Sequence, residues 1–352
     1  MELMNKTGMN ILRAAALTAV CTLGANAVRA QTADPLDQLY KAAQDAGETS
    51  LTIYNPSAAS NKMLFDAFKA KYPKISFSAV DLIGPALIAR LDAEFASSGP
   101  QASIVMNSEP DQLVLANKGY LEAYKPEVAA ALPAQYIGKN DMWRDYGLTI
   151  GGMYYNTNKV TAADAPKSYA ELVTDKWKGK LATGTLRSAS GTSQAFTALI
   201  RDGVITQDWI KGLAQSGIFI SPTVSAAVQA VASGQADVGI DIPIYFFENA
   251  KRQGAPIEFV FPKEGVTSIA LGVAKFKSAK NQMAANLFFG WMFSAEAQKI
   301  LAEMGLQGTM PDAPVSPKIP ADRKIVFHPI DWKTLEQEYP KQLQIYQAEF
   351  KN

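Results

Sequence analysis

The sequence predicts an α/β protein built as two lobes. Three observations carry this: strands and helices alternate through the first third of the chain, residues 31–352 suffice for about two domains of roughly 150 residues each, and a Gly-rich, β-prone stretch interrupts the alternation near residue 150. Alternation of this kind builds a mostly parallel sheet covered by helices.

Each element has its own signal. Residues 35–48 are predicted helical and lead into the strand Ser50-Leu51-Thr52-Ile53-Tyr54, which breaks at Asn55-Pro56-Ser57. Leu64, Phe65, Phe68 and Tyr72 share one helical face; Ser60 or Asn61 can cap its start, and Pro73 ends it. Residues 75–80 alternate as a strand. Pro85 opens a helix with Ile88, Leu91 and Phe95 on one side, and Ser98-Gly99-Pro100 stops it before a buried strand at 102–106. Residues 148–155 form the predicted crossover to the second lobe. Helices are expected there at 169–174, 193–202, 207–215 and 225–233, with strands at 180–182, 217–220 and 238–242. Strands at 257–261 and 268–273 and helices at 280–293 and 296–303 follow. Residues 307–328 read as a loop and 332–350 as one closing amphipathic helix.

The N-terminus sets the compartment. Lys6 and Arg13 accompany a short apolar run over residues 11–23, followed by small residues and Val28-Arg29-Ala30. This is the order of a secretory signal peptide, with cleavage expected after Ala30, and the run is too short to span a bilayer. Cys21 is the one cysteine, and Thr18 and Val20 stand where a lipid-attachment motif needs an aliphatic residue and a Gly or Ala. Cys21 is therefore expected to leave with the leader, which would free residues 31–352 of thiols, disulfides and Cys-ligated metals, as an oxidising compartment favours. With 34 basic against 33 acidic residues the chain has no charge excess of the kind nucleic-acid binders carry.

The motifs argue against catalysis. The single histidine, His328, lies in a Pro-flanked tail segment and is assigned a structural role. No G-x-S-x-G elbow, Walker A loop, dinucleotide fingerprint or H-E-x-x-H pair occurs. The expectation is a protein with no catalytic residues, no cofactor and no resident metal. A hydrolase using paired carboxylates stays open at this level, because such residues meet only in the fold.

Ligands of open α/β sheets sit beyond the carboxyl ends of the strands, where helix N-termini offer free N–H groups. Four loops qualify: Tyr54-Asn55-Pro56-Ser57, Asn107-Ser108-Glu109-Pro110, Arg187-Ser188-Ala189-Ser190-Gly191-Thr192-Ser193, and Asp241-Ile242-Pro243-Ile244-Tyr245-Phe246. Taken singly, Ser, Asn and Gly at such places serve ordinarily as caps. Two in each lobe at comparable strand ends would line one cleft, and the third loop, with several hydroxyls, backbone amides and a guanidinium, suits an anion. The candidate binding residues are Tyr54, Asn55, Ser57, Ser108, Glu109, Arg187, Ser190, Gly191, Thr192, Asp241 and Tyr245.

With these residues in place, the sequence resembles the periplasmic solute-binding proteins of ABC importers, in the branch holding ferric-ion, phosphonate, sugar-phosphate, thiamine and polyamine binders. The segments that carry the resemblance include Leu51-Thr-Ile-Tyr-Asn, Ala67-Phe-Lys-Ala-Lys-Tyr-Pro, Gly152-Met-Tyr-Tyr-Asn-Thr, Ser190-Gly-Thr, Ala230-Val-Ala-Ser-Gly-Gln-Ala-Asp-Val-Gly and Ser294-Ala-Glu-Ala-Gln-Lys-Ile-Leu-Ala. The resemblance implies a type II periplasmic binding fold, two α/β lobes joined by hinge strands over one ligand. The expected partition is a signal peptide at 1–30, a first lobe from 31–147 completed by 267–304, a second lobe at 148–266, and a tail at 305–352 whose helix packs on the second lobe. It further implies a monomer that meets an inner-membrane permease in the periplasm. Ferric relatives hold iron with a Tyr-Tyr pair; here Ile244 or Phe246 flanks Tyr245, and no His falls at 55–60, so a lone phenolate would be a weak Fe³⁺ site. The expected ligand is a small organic anion or zwitterion, its anionic group on Ser190, Gly191 and Thr192 and its other end on Asp241. Ferric iron is the alternative, and a secreted hydrolase the more distant one.

Overall fold

Short-range chemistry fixes where the elements begin. Asp34 caps the first helix by accepting from the Leu36 amide at 2.9 Å, and Thr206, Thr223, Ser294 and Asp331 cap later helices in the same way. The computed structural model describes residues 34–322 and 324–351; the expected leader at 1–30, with Cys21, lies outside the described residues.

From the N-terminal side the chain forms α1 (Pro35–Asp45), β1 (Ser50–Asn55), α2 (Lys62–Lys71), β2 (Ser76–Asp81), α3 (Gly84–Ser97), β3 (Ile104–Ser108), α4 (Glu109–Asn117), β4 (Leu121–Glu122) and β5 (Trp143–Leu148). The second lobe then contains β6 (Gly151–Asn156), β7 (Leu181–Thr183), α5 (Gly191–Arg201), α6 (Gln207–Gln215), β8 (Phe219–Ile220), α7 (Val224–Ala232), β9 (Val238–Pro243), α8 (Ile244–Arg252) and β10 (Ile257–Val260). After β11 (Val266–Ser268), the chain returns as β12 (Ala270–Phe276), α9 (Gln282–Trp291), α10 (Ala295–Glu303) and β13 (Gln307–Gly308). It ends in β14 (Phe327–Pro329), α11 (Trp332–Gln337) and α12 (Tyr339–Glu349).

Two sheets organise these elements. The first runs β13-β5-β12-β3-β1-β2, with β4 against β12; β1, β2 and β3 are parallel, and β12 joins antiparallel. The second runs β10-β6-β9-β7-β8, and β11 pairs with β14 in a separate two-stranded ribbon. Both sheets are covered on two faces, which is why strands such as Ile104-Val105-Met106 are apolar without alternation. On one side of the first sheet Phe68, Phe288 and Trp291 pack as edge and tilted aromatic pairs; on the other lie Leu87, Leu91, Trp143 and Phe276. The second sheet buries Phe196, Trp209 and Leu213 on one face and Val228, Val231 and Phe247 on the other. Each fully buried large apolar side chain contributes about 1.5–3 kcal/mol.

The tail departs from expectation. The predicted loop at 307–328 holds β13, which joins the first sheet, and the start of β14. The predicted single helix is two, broken at Glu338 before Pro340, whose ring fits only the first turn of a new helix. The segment at 169–173 is a 3₁₀ rather than an α-helix. Among the described residues no helix is long and apolar enough to cross a membrane.

Candidate ligand-binding site

The chain passes from the first sheet to the second between Leu148 and Gly151, and re-enters the first from the β11–β14 ribbon between Ser268 and Ala270. The two passages brace each other: the Thr149 amide donates to the Ile269 carbonyl at 3.0 Å, and the Ile269 amide donates to Thr149 Oγ1 at 2.8 Å. Glycine is required at 151, because a Cβ there would lie 2.1 Å from Thr267 Oγ1. At this crossing lies a cavity of about 30 Å³, lined chiefly by Thr149, Gly191, Thr192, Asp241, Thr267 and Ser268.

Asp241 is held there by backbone geometry. The register between β6 and β9 shifts at Gly152/Met153, so Asp241 is the extra residue of a bulge, and it takes φ +58°, a left-handed conformation that Asp tolerates better than most residues. The bulge aims its carboxylate at the cavity, where Thr267 Oγ1 donates to Oδ1 at 2.6 Å. Burial pushes this carboxyl up to about 6, against the pull of the Thr267 and Thr192 hydroxyls. Ser268 Oγ, also buried and lining the cavity, has no hydrogen-bond partner among the described residues.

The start of α5 forms the opposing wall. Ser190 Oγ accepts from the Ser193 amide and Ser193 Oγ accepts from the Ser190 amide, both at 3.1 Å, a reciprocal capping box. The Ser190 hydroxyl is itself committed to the Thr185 carbonyl at 2.6 Å. Gly191 and Thr192 therefore carry the first-turn amides, which have no intrahelical acceptor and sit at the positive end of the helix dipole. A Cβ on Gly191 would come within 2.8 Å of Ile269 Cδ1, so the helix end lies directly against the hinge. The cavity thus offers amide and hydroxyl donors on one side and a carboxylate on the other.

Of the candidate residues, the fold brings Gly191, Thr192 and Asp241 to this cavity, with Ser190 one residue behind as the cap. The rest stand elsewhere. Contrary to expectation, the Tyr54 ring points into the first lobe's core under α3, where its hydroxyl donates to Glu94 Oε1 at 2.7 Å; burial and then Glu94 raise the phenol to about 12. Asn55 organises its own loop, accepting from the Ser57 amide at 3.0 Å and donating to the Val80 carbonyl and Asp81 Oδ1, each at 3.3 Å. Ser57 Oγ accepts from the Ser60 amide, and Ser108 Oγ donates to Asp111. Glu109 is buried and accepts from the Trp332 amide at 3.1 Å; burial, with Asp145 nearby, raises its carboxyl well above the usual range, and burial does the same to Asp145. Arg187 is exposed, and Tyr245 is exposed beside Phe246 with ring centroids 4.3 Å apart. Sequence reasoning passed over Thr149, Thr267 and Ser268. Their signal was available: hydroxyls at the two places where the chain changes lobes. Among the described residues no group of three or more His, Cys, Asp or Glu side chains gathers as a metal site.

Comparison with known proteins matches residues 63–326 to the family described as bacterial extracellular solute-binding protein. A probable ABC transporter periplasmic-binding protein of Sinorhizobium fredii is 27% identical over 316 residues, 86% of this chain and 87% of the relative. A major ferric iron-binding protein of Neisseria meningitidis is 26% identical over 153 residues, 42% of this chain and 46% of the relative. Among solved structures, the open ferric iron-binding protein A of Mannheimia haemolytica superposes with TM-score 0.73 at 16% identity, covering 86% of this chain and 99% of that one. The periplasmic binding protein AfuA of Actinobacillus pleuropneumoniae, with fructose-6-phosphate bound, gives 0.67 at 22%, covering 86% and 98%. At these identities the structural matches establish the fold, two α/β lobes of the type II periplasmic binding class, and nothing about the ligand.

Proposed function

The chain belongs to the bacterial extracellular solute-binding protein family, and from that premise we propose that it is the periplasmic solute-binding component of an ABC importer, capturing a small zwitterion with a phosphonate-like or other anionic group. The chemistry gathered at the hinge carries this reading: a buried carboxylate, Asp241, lines the same cavity as Gly191 and Thr192 at the start of α5, and that cavity, about 30 Å³, must widen to admit a solute. The anionic group takes the helix N-terminus and the hydroxyls. The ammonium takes Asp241, whose ionised form it stabilises. Because these groups come from the hinge passages and the second lobe together, a bound solute favours the arrangement that brings them close. Whatever preference the solute has for one disposition of the hinge passages shifts the population toward that form, which the permease would recognise. The transport role also follows the Sinorhizobium relative, which spans most of both chains.

Ferric iron is the second reading, favoured by the Neisseria relative. Against it, the cavity presents one carboxylate and hydroxyls, while Tyr245 stands exposed next to a phenylalanine. Thermal unfolding of protein stripped of solute, measured with aminoethylphosphonate, ethylphosphonate, a diamine and ferric citrate, separates the two. At 100 times its Kd a solute adds about 2.7 kcal/mol of stability. A shift with aminoethylphosphonate well above that with ethylphosphonate or the diamine is expected. A shift with ferric citrate alone, with a visible phenolate absorption band, would overturn the zwitterion reading and leave the transport role in place.

A further inference from the structure

Five residues of the tail are tied to both lobes at once. On the second-lobe side, β14 pairs in parallel with the hinge strand β11, and His328 bonds Asp202 Oδ2 at 2.8 Å through Nδ1 and the Glu264 carbonyl at 3.0 Å through Nε2. Arg201, at the end of α5, donates to the Pro329 carbonyl through Nη2 and to Asp331 Oδ2 through Nη1, both at 2.8 Å, while its Nε holds Asp202 Oδ1 at 2.7 Å. One residue later the chain is attached to the first lobe, where the Trp332 amide donates to Glu109 Oε1 at the start of α4. Just beyond, Glu336 Oε1 accepts from Lys139 Nζ at 2.6 Å and from Asn117 Nδ2 at 3.3 Å. Ile330, fully buried between these anchors, belongs to a cluster that includes Leu113 and Trp143 of the first lobe and Ala198 of α5.

We propose that residues 328–332 form a strap across the back of the hinge that restrains opening of the ligand-free protein, clamped to the second lobe by Arg201 and to the first lobe through Glu109. The lobes cannot swing apart at Thr149 and Ile269 without stretching this segment, because fewer than two residues of free chain separate its two sets of anchors. Arg201 is the second-lobe anchor next to Trp332, so its removal leaves residues 330 and 331 held on that side only through β14 and His328 before them and Tyr339 after them. The strap also gives Glu109 a role that does not involve solute. This inference holds for any solute, and its test uses none.

The test is the interlobe distance by double electron–electron resonance between spin labels at Ala96→Cys on α3 and Gln229→Cys on α7. Both sites are exposed, and the full chain would also carry Cys21→Ser to remove its own thiol. With the strap intact the distribution should be narrow; Arg201→Gln should broaden it and move it to longer distance. Asp331→Asn, which leaves Arg201 its Asp202 partner, should move it part of the way and carries the test if Arg201→Gln does not fold. Lys251→Gln breaks a salt bridge to Glu258 that lies wholly within the second lobe and should leave the distribution unchanged. Coincident distributions for the parent and both strap variants would overturn the proposal, as would a shift in Lys251→Gln as large as that in Arg201→Gln.

Discussion

The loops that end the strands of the two lobes use the same residue types for different ends. In the first lobe Asn55, Ser57 and Ser108 spend their hydrogen bonds on their own loops, and Glu109 spends its on the tail. In the second lobe and the hinge, Asp241 is turned out of its strand by a bulge, the α5 amides face the cavity, and Ser268 Oγ is buried without a partner. A buried polar group left unpaired costs about 1–3 kcal/mol, and a bulged left-handed Asp costs about as much again. The first lobe has unpaired buried groups of its own, at Asn107, Gln112 and Asp145, whereas at the hinge such a group lines a cavity beside a left-handed Asp, and this is the difference between the two sides.

The largest expected effect tests that asymmetry. Asp241→Ala should weaken binding of the zwitterion by about 2–5 kcal/mol, the range for removing one partner of a buried charge pair. Glu109→Gln, which keeps the acceptor for the Trp332 amide, should leave binding within about 0.5 kcal/mol. Titration calorimetry of aminoethylphosphonate against both variants decides the matter. Equal losses would mean that the first lobe reaches the ligand after all and that the two faces are equivalent.

The next effect sharpens the comparison through pH. In the unfolded chain the Asp241 carboxyl sits near its ordinary 3.8, and in the fold at about 6. The folded protein therefore holds this proton more tightly. The burial penalty is absent below about pH 4, grows as the pH rises through the interval from 4 to 6, and is complete above 6, where it reaches about 3 kcal/mol. Asp241→Asn, which also tolerates the left-handed backbone, should then stabilise the ligand-free protein at pH 7.5 and do little at pH 4. Urea midpoints at the two pH values measure this. Glu109 and Asp145, also raised by burial, impose a similar slope on parent and variant alike and drop out of the difference. An equal gain at both pH values would show that the gain comes from relief of backbone strain, not of charge.

Much of the framework was legible because its signals are local. Pro85, Pro73 and the Ser98-Gly99-Pro100 stop act on the residues beside them, and the hydroxyl-rich approach to α5 announced the cap that Ser190 makes. Asp241 was legible as a strand-end carboxylate. What escaped depends on distant partners. β13 and β14 are short segments that become strands only because β5 and β11 receive them, more than fifty residues away in sequence. Thr267 matters because Gly151 lets its hydroxyl approach and the bulge at Asp241 meets it, and neither contact has a sequence period. Glu109 was read as a ligand because it follows a strand, whereas the tail that claims it lies more than two hundred residues on.

Tyr54 gives the smallest and cleanest test. Side chains along a strand alternate between the two faces of the sheet, so Ile53 enters the core beneath α2 and Tyr54 the core beneath α3; neither direction leads to the cleft, which lies beyond the strand end. Tyr54→Phe removes one hydrogen bond to Glu94, which keeps Arg90 Nε at 2.7 Å and the Gln101 amide at 3.0 Å. The ring, its packing against Phe276 and the Arg90 guanidinium over its face all persist. The expected cost is about 1 kcal/mol in stability with no change in solute affinity, read from paired denaturation and calorimetric titrations. Lost affinity at unchanged stability would place this phenol in contact with solute. The first lobe's strand ends would then have to be counted as part of the site, and the asymmetry between the two faces would fail at its simplest point.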